Sequence, residues 1–519
     1  MSFGFLGIQY GFGLQQANMS PIYRYLGADE SSIPGLWLAG PLTGLFLQPI
    51  IGTLSDRSWS TTWGRRKPYI FIGAIVGSLA MILMPNSKSV FMAACLMWLL
   101  DAGLNSSMEP FRAFVGDLLN NKQRPTGFAV QSFMVGFGQT LANLMPTILA
   151  WILPIIGITI AVTNNATKGI PAAVHLPFYI GAAAILLTVF FTMTTTKEYP
   201  PENEDYKIKP TFNEGQKKNI KFWHLAITIV GAIMGGLFAV RIKYNEVYQN
   251  VLKVAQQQDE AIKTIKMTAE QQSEAITSGL YFGLICSGII LVVLYLILKL
   301  LVFKEILASL SEMPEVMRQL WWVKFFTWFG LPLMWQYLSL AIARYAFNAP
   351  DPELNKFGFE QGQKWGNLCF AIFSVTCFLI SIFLPWIAKK IGSRRSTHAL
   401  FLTIGALGFF SVLLSNDKFI YLFGMTLIGF AWGSIMSLPY LMIASAVSQS
   451  RMGVYMGIMN AFICVPQLVG MLAVPFVYEK LLGNDPRNAL VLAGICMVCA
   501  AASCFLVKEV KSADEAAVV

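Results

Sequence analysis

The chain has 519 residues, of which 55% are hydrophobic and 13% charged, and its mean hydropathy is +0.57. A water-soluble protein of this length needs more charged surface, so the composition excludes that class and predicts an all-α polytopic membrane protein. The formal net charge of +10 comes from basic residues that lie between apolar blocks, which is typical of membrane topology signals and not of nucleic-acid binding.

The apolar blocks predict two sets of six spanning helices, separated by two further apolar segments. The first set covers 1–21, 33–54, 68–85, 90–117, 127–153 and 175–194. The second set covers 321–346, 365–388, 397–415, 418–446, 452–478 and 488–507, and the segments between the sets are 222–240 and 279–303. The predicted number of crossings is therefore about 14. Because the first helix starts at residue 1, we expect a short cytoplasmic leader to be missing from this numbering.

These helices and the polar stretches between them predict six regions. They are an N-terminal six-helix bundle (1–194), a cytoplasmic linker (195–221), an inserted helix pair (222–303), a cytoplasmic connector (304–320), a C-terminal six-helix bundle (321–510) and a cytoplasmic tail (511–519). Within the inserted pair, residues 241–278 are rich in helix formers and have spaced apolar positions, which predicts an amphipathic extracytoplasmic helix. That segment is either a solvated extension of the pair or a surface for a partner or for oligomerisation.

The loops provide a test of the predicted topology. Basic residues cluster in alternate loops, at Arg57–Lys67, Lys122–Arg124, Lys197–Lys221, Lys389–Arg395 and Lys508–Lys511. These clusters fall on one side only if both extra segments span, since a single extra crossing would invert the second half. The positive-inside rule then places the clusters and both termini in the cytoplasm, in a plasma membrane or bacterial inner membrane.

The two halves also resemble each other. Gly52, Asp56 and Arg57, followed by Gly64, Arg65 and Arg66, end the second helix of the first half, and Gly392-Ser-Arg-Arg occupies the same place in the second half. Repeated six-helix units predict a duplicated transporter whose binding site lies near mid-membrane between two bundles. We assign the six first-half residues to conformational gating.

Ionisable groups inside spanning helices are costly, which makes them candidates for function. Asp101, Asn105, Glu109 and Arg112 fall within roughly an 80° arc of the fourth helix. Asp101 and Arg112 are about 16 Å apart along the axis, too far for a direct ion pair, whereas Glu109 can pair with Arg112. Asp101 is then the freer acid, and we expect it to load and release a proton, with Arg112 and Glu109 assisting in coupling.

A set of neutral amides and tryptophans suits a sugar better than an ionic solute, because amides hydrogen-bond hydroxyls and aromatic faces cover the apolar side of a pyranose. The substrate-binding candidates are Gln15, Asn18, Asn105, Gln139, Trp335, Gln336, Asn460 and Gln467, accompanied by Gln16, Asn143, Trp328 and Trp432. Singly, each amide is more often a helix-packing hydrogen bond. Their combination is what predicts a site.

Other functional classes lack a signal in this sequence. There is no G-x-x-x-x-G-K-[ST] loop for nucleotide phosphate, which favours transport driven by an ion or solute gradient. The three histidines are isolated and the eight cysteines lie in apolar segments, so we predict no metal site, no cofactor and no enzyme activity.

The loop sequence GTLSDRSWSTTWGRRKP carries the G-x-L-x-D-R and G-R-R-K pattern of the major facilitator superfamily, and its long spacer resembles that of the sucrose–proton symporters, a glycoside–pentoside–hexuronide:cation symporter family. GIQYGFGLQQANMSPIYRYLG, WLAGPLTGLFLQPIIG, DAGLNSSMEPFRAFVGDL and MGVYMGIMNAFICVPQLV are similar to its first, second, fourth and eleventh helices. The resemblance implies the major facilitator fold, a proton carrier at Asp101, an arginine needed for transport at Arg112 and cavity residues at Gln15 and Gln139.

The sequence departs from the family in its seventh helix, where TWFGLPLMWQYLSLAIARYAF has no carboxylate and only Arg344, and in the inserted helix pair. The resulting hypothesis is a symporter for H⁺ and a sugar, such as the disaccharides sucrose or maltose, working by alternating access. The alternatives are a drug or organic-ion exporter of the same fold and a transport-inactive sugar sensor. The sequence leaves the oligomeric state open.

Overall fold

The computed structural model describes residues 2–119, 124–155, 170–199, 212–258, 268–310, 312–444 and 452–508. Within these ranges the chain is helical and contains no strand, apart from one isolated bridge between Ser60 and Gly64. The helices are α1 (Phe3–Tyr25), α2 (Ile33–Leu36), α3 (Ala39–Leu42), α4 (Gln48–Arg57), α5 (Lys67–Leu83), α6 (Val90–Leu118), α7 (Arg124–Ile155), α8 (Ala172–Thr195), α9 (Glu214–Gln258), α10 (Ala269–Leu298), α11 (Leu301–Ser309), α12 (Glu315–Ala346), α13 (Lys356–Ile391), α14 (Arg394–Phe410), α15 (Lys418–Ala444), α16 (Met452–Tyr478) and α17 (Pro486–Ser503).

In the described part of the chain, 12 helical stretches are long and apolar enough to cross a bilayer, judged by length and composition alone. The helices α1 and α7 are not among them, and α7 contributes the shorter apolar stretch Phe133–Leu149. Both helices contain many of the polar residues discussed below, which lowers their hydropathy. The fold class of a polytopic helical membrane protein is confirmed, and the predicted count of about 14 crossings remains a prediction.

The second predicted crossing, 33–54, is a helix interrupted several times. It consists of α2, α3, a π-helical segment (Thr43–Leu47) and α4. Prolines at positions 34, 41 and 49 each remove a backbone donor and crowd the preceding turn, which explains why a regular α-helix does not persist here. The interruption turns side chains such as Thr43 and Gln48 toward α6.

The chain divides into two compact units, Met1–Ile208 with Pro314–Val519, and Lys209–Met313. The second unit contains α9, α10 and α11, and α9 packs along α10 through small residues. A Cβ at Gly236 would overlap Ser287 Oγ, and Ser287 donates a hydrogen bond of 2.9 Å to Ala232 O. Helix continues through most of the predicted extracytoplasmic segment, to Gln258 and again from Ala269, with 259–267 outside the described residues. The domain bounds from the sequence remain predictions.

The first unit contains two sets of helices that repeat the same packing. In the first set α1 packs on α6, α7 and α8, and in the second set α12 packs on the corresponding helices α15, α16 and α17. The sets meet where α1 contacts α12, α7 contacts α13, and α16 contacts α2, α3 and the π-helical segment. We call these sets the first and second bundles.

Two ends of this unit are distinguished by their loops. Residues 58–66 and 392–393 connect helices at one end, here named the basic-loop end. Residues 26–29, 347–355 and 479–485 lie at the other, here named the opposite end, where Arg24 contacts Asp351.

Candidate functional site

Asp101 lies in α6 and is completely buried. Its Oδ1 accepts a hydrogen bond of 2.9 Å from Gln15 Nε2 of α1, and its Oδ2 has no hydrogen-bond partner among the described residues. Gly40 of α3 lies beside this carboxyl group, since a Cβ built there would be 3.7 Å from Asp101 Oδ2. The carboxyl group therefore lies at the junction of α1, α6 and the interrupted second crossing, on whose α3 segment α16 packs.

The predicted pair of Glu109 and Arg112 is present, with 3.7 Å between Glu109 Oε2 and Arg112 Nη1. Both side chains are partly exposed, at 39% and 49%, whereas Asp101 is at 0%. Gly52 of α4 allows close packing here, because a Cβ at that position would be 3.4 Å from Glu109 Cγ. Asp101 thus lies in a fully buried environment, whereas the ion pair on the same helix is partly exposed to solvent.

Asn105 bridges α6 to the interrupted crossing. Its Oδ1 accepts a hydrogen bond of 2.6 Å from Gln48 Nε2, and its Nδ2 donates one of 2.9 Å to Thr43 Oγ1. Both polar atoms of Asn105 are therefore engaged within the first bundle. A substrate contact by Asn105 remains a prediction and would require these bonds to exchange.

Three further predicted amides also form hydrogen bonds across helix interfaces. Gln139 of α7 donates to Gln9 Oε1 of α1 at 3.1 Å. Asn18 Oδ1 accepts from Gln363 Nε2 of α13 at 2.9 Å, which joins the two bundles. Asn460 of α16 donates to Gly44 O at 3.0 Å, also between the bundles. Gln467 is buried at 9% exposure.

An aromatic cluster in the second bundle, here named the aromatic cage, contains the predicted substrate-binding residue Trp335 and the two tryptophans that accompany it in the prediction. Trp328 and Trp335 of α12 surround Trp432 of α15, with ring centroids 5.5 and 6.0 Å from it, and Phe373 of α13 lies 5.8 Å from the same ring. The indole Nε1 atoms of Trp328 and Trp335 have no described hydrogen-bond partner, and neither do the two amide atoms of Gln336. Unpaired buried polar groups are costly, so these donors and acceptors are available to a ligand.

The loop motif at the basic-loop end joins the start of α5 to the segment after α8, and its Arg66 side chain adds contacts to α4 and α6. Gly64 has a φ of +78°, and the backbone N–H groups of Arg65, Arg66 and Lys67 all donate to the Glu198 carboxylate at 2.8 to 3.2 Å. A Cβ at Gly64 would lie 2.7 Å from Glu198 Cδ, which explains the glycine.

The Arg66 side chain, 4% exposed, completes this arrangement. It donates from Nε to Asp117 Oδ2 at 2.8 Å and from Nη1 to Ser55 Oγ at 2.6 Å. The side chains of Asp56 and Arg57, also assigned to gating, lie outside the described residues. The gating role of the motif remains a prediction, since these contacts stay within the first bundle.

Sequence reasoning missed a group of charges at the opposite end. Arg344 Nη2 of α12 donates to both carboxylate oxygens of Glu30 at 2.8 Å, and Tyr478 OH of α16 donates to Glu30 Oε2 at 2.8 Å. Arg24 and Asp351 form a second ion pair between the bundles at 3.0 Å. Glu30 was missed because it lies in a predicted loop, where a carboxylate normally faces water.

Sequence reasoning also missed Lys324, which lies within the predicted helix 321–346, about one turn before the stretch TWFGLPLMWQYLSLAIARYAF. The predicted seventh helix therefore contains two basic residues, Lys324 and Arg344. Lys324 is 1% exposed. A charge inside a spanning helix was the signal that identified Asp101, and the same signal was available here. Gln363 was missed because the eighth helix was predicted to start at 365, whereas α13 starts at Lys356.

Comparisons with known proteins agree with this architecture. The chain is similar to the sucrose transport protein SUC3 of Arabidopsis thaliana, with 25% identity over 94% of this chain and 83% of that protein. It is 30% identical to SUC4 of the same plant over 37% of this chain and 41% of that protein. It is 34% identical to SUT2 of Oryza sativa subsp. japonica over 24% of this chain and 28% of that protein.

Two solved structures share the fold. The POT family transporter PepTSo superimposes with a TM-score of 0.60 at 14% identity, covering 97% of this chain and 96% of that chain. The nucleoside transporter NupG superimposes with a TM-score of 0.57 at 12% identity, covering 98% and 99%. The sequence model of the Major Facilitator Superfamily matches residues 1–471. The resemblance seen in the sequence is confirmed, and the chain belongs to the major facilitator superfamily.

Proposed function

We propose that the protein is a proton-coupled sugar symporter that works by alternating access. The observation that carries the proposal is Asp101, a fully buried carboxyl group with one unpaired oxygen and no ion-pair partner among the described residues. A buried carboxylate without an ion-pair partner is costly, and binding a proton removes its charge. Its position beside the bundle junction would let protons reach it from either side of the membrane in turn.

The second bundle supplies the features expected for a sugar. The Trp328–Trp335–Trp432 cage offers aromatic faces, and its two unpaired indole N–H groups, together with Gln336, offer hydrogen bonds to hydroxyls. The related plant proteins are sucrose transport proteins, which favours a disaccharide or glucoside such as sucrose or maltose.

The contacts between bundles support alternating access. Glu30, Arg344 and Tyr478 close the opposite end, whereas Glu109 and Arg112, toward the basic-loop end, are partly exposed. We place the basic-loop end and both termini in the cytoplasm of a cell membrane, so this conformation is closed to the outside. With this orientation, the linker, the connector and the tail proposed from the sequence lie in the cytoplasm.

The test is uptake by the full chain in proteoliposomes with an inward proton gradient and labelled sucrose, maltose and monosaccharides. The wild type should concentrate at least one sugar, and Asp101→Asn should carry that sugar only to equilibrium. Asp417→Asn, which changes an exposed aspartate in the loop before α15, is the matched control and should accumulate sugar normally.

Three outcomes would contradict parts of the proposal. Accumulation by Asp101→Asn equal to wild type would refute the proton role of Asp101. Movement of a cationic drug with no movement of sugar would favour the exporter. Sugar binding without any uptake would favour the transport-inactive sensor.

A further inference from the structure

Lys324 is a further buried ionisable group of the unit formed by Met1–Ile208 and Pro314–Val519, here named the transport unit, and the proposed function does not use it. It is 1% exposed, and no described carboxylate forms an ion pair with it. Its Nζ lies 3.5 Å from Ile435 O, 4.8 Å from the Tyr440 ring centroid and 5.8 Å from the Trp328 ring centroid. The ammonium group of Lys324 thus lies between α12 and α15, next to a carbonyl oxygen and two aromatic rings.

The Ile435 carbonyl that faces Lys324 has no hydrogen-bond donor within its own helix. Pro439 lies four residues after Ile435 in α15 and has no N–H group, so the Ile435 carbonyl lacks its intrahelical donor. A free carbonyl and two aromatic faces each attract an ammonium ion. These groups offset part of the cost of burying the ammonium ion, although the described residues around it include no counter-ion.

One other titratable side chain lies close by. His398 of α14 is buried, its Nδ1 is 2.5 Å from Ser434 Oγ, and it lies within electrostatic range of Lys324. It brings no negative charge to the pocket, and Tyr440 brings none while its hydroxyl group is protonated. No described acidic side chain of its own bundle forms an ion pair with Lys324, so its positive charge is uncompensated among those residues.

Asp101 presents the converse arrangement in the first bundle. It lies between α1 and α6, the first and fourth crossings of its half, and it has no cationic partner among the described residues. Lys324 lies between α12 and α15, the first and fourth crossings of the other half. In the described part of each bundle, a buried charge without an ion-pair partner thus lies at the same interface, negative in one bundle and positive in the other.

We infer that Lys324 is a charge-balancing residue that decides which step of the transport cycle responds to membrane potential. With Asp101 ionised, the two charges cancel and the empty carrier reorients as a neutral unit. With a proton on Asp101 and a neutral sugar bound, the carrier has one net positive charge. The loaded step is then accelerated inward by a negative-inside potential, and the return of the empty carrier is insensitive to it.

The expected size of the effect follows from the energy of one charge in the membrane field. One elementary charge crossing the full field changes an equilibrium about 50-fold per 100 mV, and a fraction of the field gives proportionally less in the exponent. Replacing Lys324 by a neutral residue makes the loaded carrier neutral and the empty carrier negative. The voltage dependence should therefore move from the loaded step to the return step.

The experiment rests on the proposed function and uses the full chain in proteoliposomes with potassium diffusion potentials. Counterflow of labelled sugar, with equal pH and saturating sugar on both sides, isolates the loaded step. Wild type and Lys324→Arg should show counterflow that depends on potential, and Lys324→Met should show counterflow that does not. Net uptake by Lys324→Met should become limited by a voltage-dependent return step.

A second pair of variants keeps the inference testable if Lys324→Met alone does not fold. Asp101→Asn should exchange sugar with voltage dependence, because its carrier always has the single charge of Lys324. The double variant Asp101→Asn/Lys324→Met has neither charge, so its exchange should be independent of potential.

The failures are distinguishable. Wild-type protein that moves no sugar under a proton gradient would overturn both the proposed function and this inference. The inference alone would be overturned if the wild type shows proton-driven uptake but Lys324→Met leaves the voltage dependence of counterflow unchanged. The same holds if Lys324→Met leaves it unchanged in the Asp101→Asn protein.

Discussion

At the scale of single residues, the proposed proton coupling depends on how Asp101 is held. Gln15 is the one described hydrogen-bond donor to this carboxyl group, and Gln15 Nε2 also lies 3.3 Å from Met97 Sδ of the same helix as Asp101. The Gln15 Oε1 atom has no described partner. Gln15 therefore orients Asp101 and still has one acceptor available, which suits a residue that must respond when substrate enters.

We predict that Gln15→Met lowers proton-driven sugar uptake about tenfold or more, since a hydrogen bond to a charged group contributes about 1.5–3 kcal/mol. Initial rates in proteoliposomes measure the effect. Gln16→Met changes the adjacent glutamine, which is only partly buried, and should remain close to wild type. Equal rates for the two variants would show that the hydrogen bond to Asp101 is dispensable.

Several candidate residues could be found from the sequence alone, and their partners could not. Asp101 is recognisable because an acid in a spanning helix is costly wherever the helix lies. Its partner Gln15 lies 86 positions away and was one of nine candidate amides, and helix periodicity did not indicate which of them faces Asp101. Helix periodicity gives the face of a residue on its own helix, but it contains no information about which helix lies opposite.

At the scale of elements, the basic loop shows how one glycine and one carboxylate join helix ends. The Glu198 carboxylate accepts the free N–H groups at the start of α5, which are available because the first N–H groups of a helix have no partner within the helix. A carboxylate at a helix N-terminus is also favoured by the helix dipole. The loop motif therefore has a structural role in the first bundle besides any role in gating.

We predict that Glu198→Gln lowers the free energy of unfolding by about 1–3 kcal/mol, since charge-assisted hydrogen bonds are replaced by weaker ones and one amide group lacks acceptors. Tryptophan fluorescence during thermal unfolding in detergent measures the change. Glu214→Gln, at an exposed glutamate that pairs with Lys217, is the control and should leave the midpoint unchanged. An unchanged midpoint for Glu198→Gln would contradict the proposed role of the loop.

Gly64→Ala tests the same loop from the other side. The positive φ disfavours any side chain, and the new Cβ would come 2.7 Å from Glu198 Cδ, so the carboxylate must move away from the helix terminus. We expect a loss of about 1–3 kcal/mol in unfolding free energy in the same assay. Gly392→Ala is the matched control, because Gly392 has a similar φ of +74° and nothing lies within 4 Å of its Cβ position. It should show the backbone cost without the clash.

At the scale of the whole transport unit, the contacts of Glu30 hold the bundles together at the opposite end. Glu30 belongs to the first bundle, whereas Arg344 and Tyr478 belong to the second, and the carboxylate is 9% exposed. Tyr337 OH adds a hydrogen bond of 3.1 Å to the Glu30 backbone carbonyl. In the proposed alternating-access cycle, a state open at the opposite end must break all of these contacts together, so their strength sets the balance between the two proposed states.

We predict that Arg344→Gln shifts molecules toward opening at this end about tenfold or more, because a buried carboxylate loses charge-assisted hydrogen bonds of about 1.5–3 kcal/mol. Pulsed electron paramagnetic resonance between spin labels at Lys88 and Leu481, both exposed at this end, should show longer and broader distances. Arg487→Gln is the control, because Arg487 contacts Asn416 and Tyr345 of the same bundle. Identical distance distributions for the two variants would show that the contacts of Arg344 do not hold the opposite end closed.

The sequence by itself determined that this chain is a helical membrane protein with two related halves, because burial in lipid requires long apolar helices and duplication leaves a repeated loop motif. It also identified Asp101, the Glu109–Arg112 pair and the tryptophans, since polar groups in apolar segments stand out by composition. Only the tertiary structure decided which groups pair. The contacts of Glu30 with Arg344, of Gln15 with Asp101 and of Lys324 with a proline-freed carbonyl join residues far apart in sequence, and such pairs form only when helices pack.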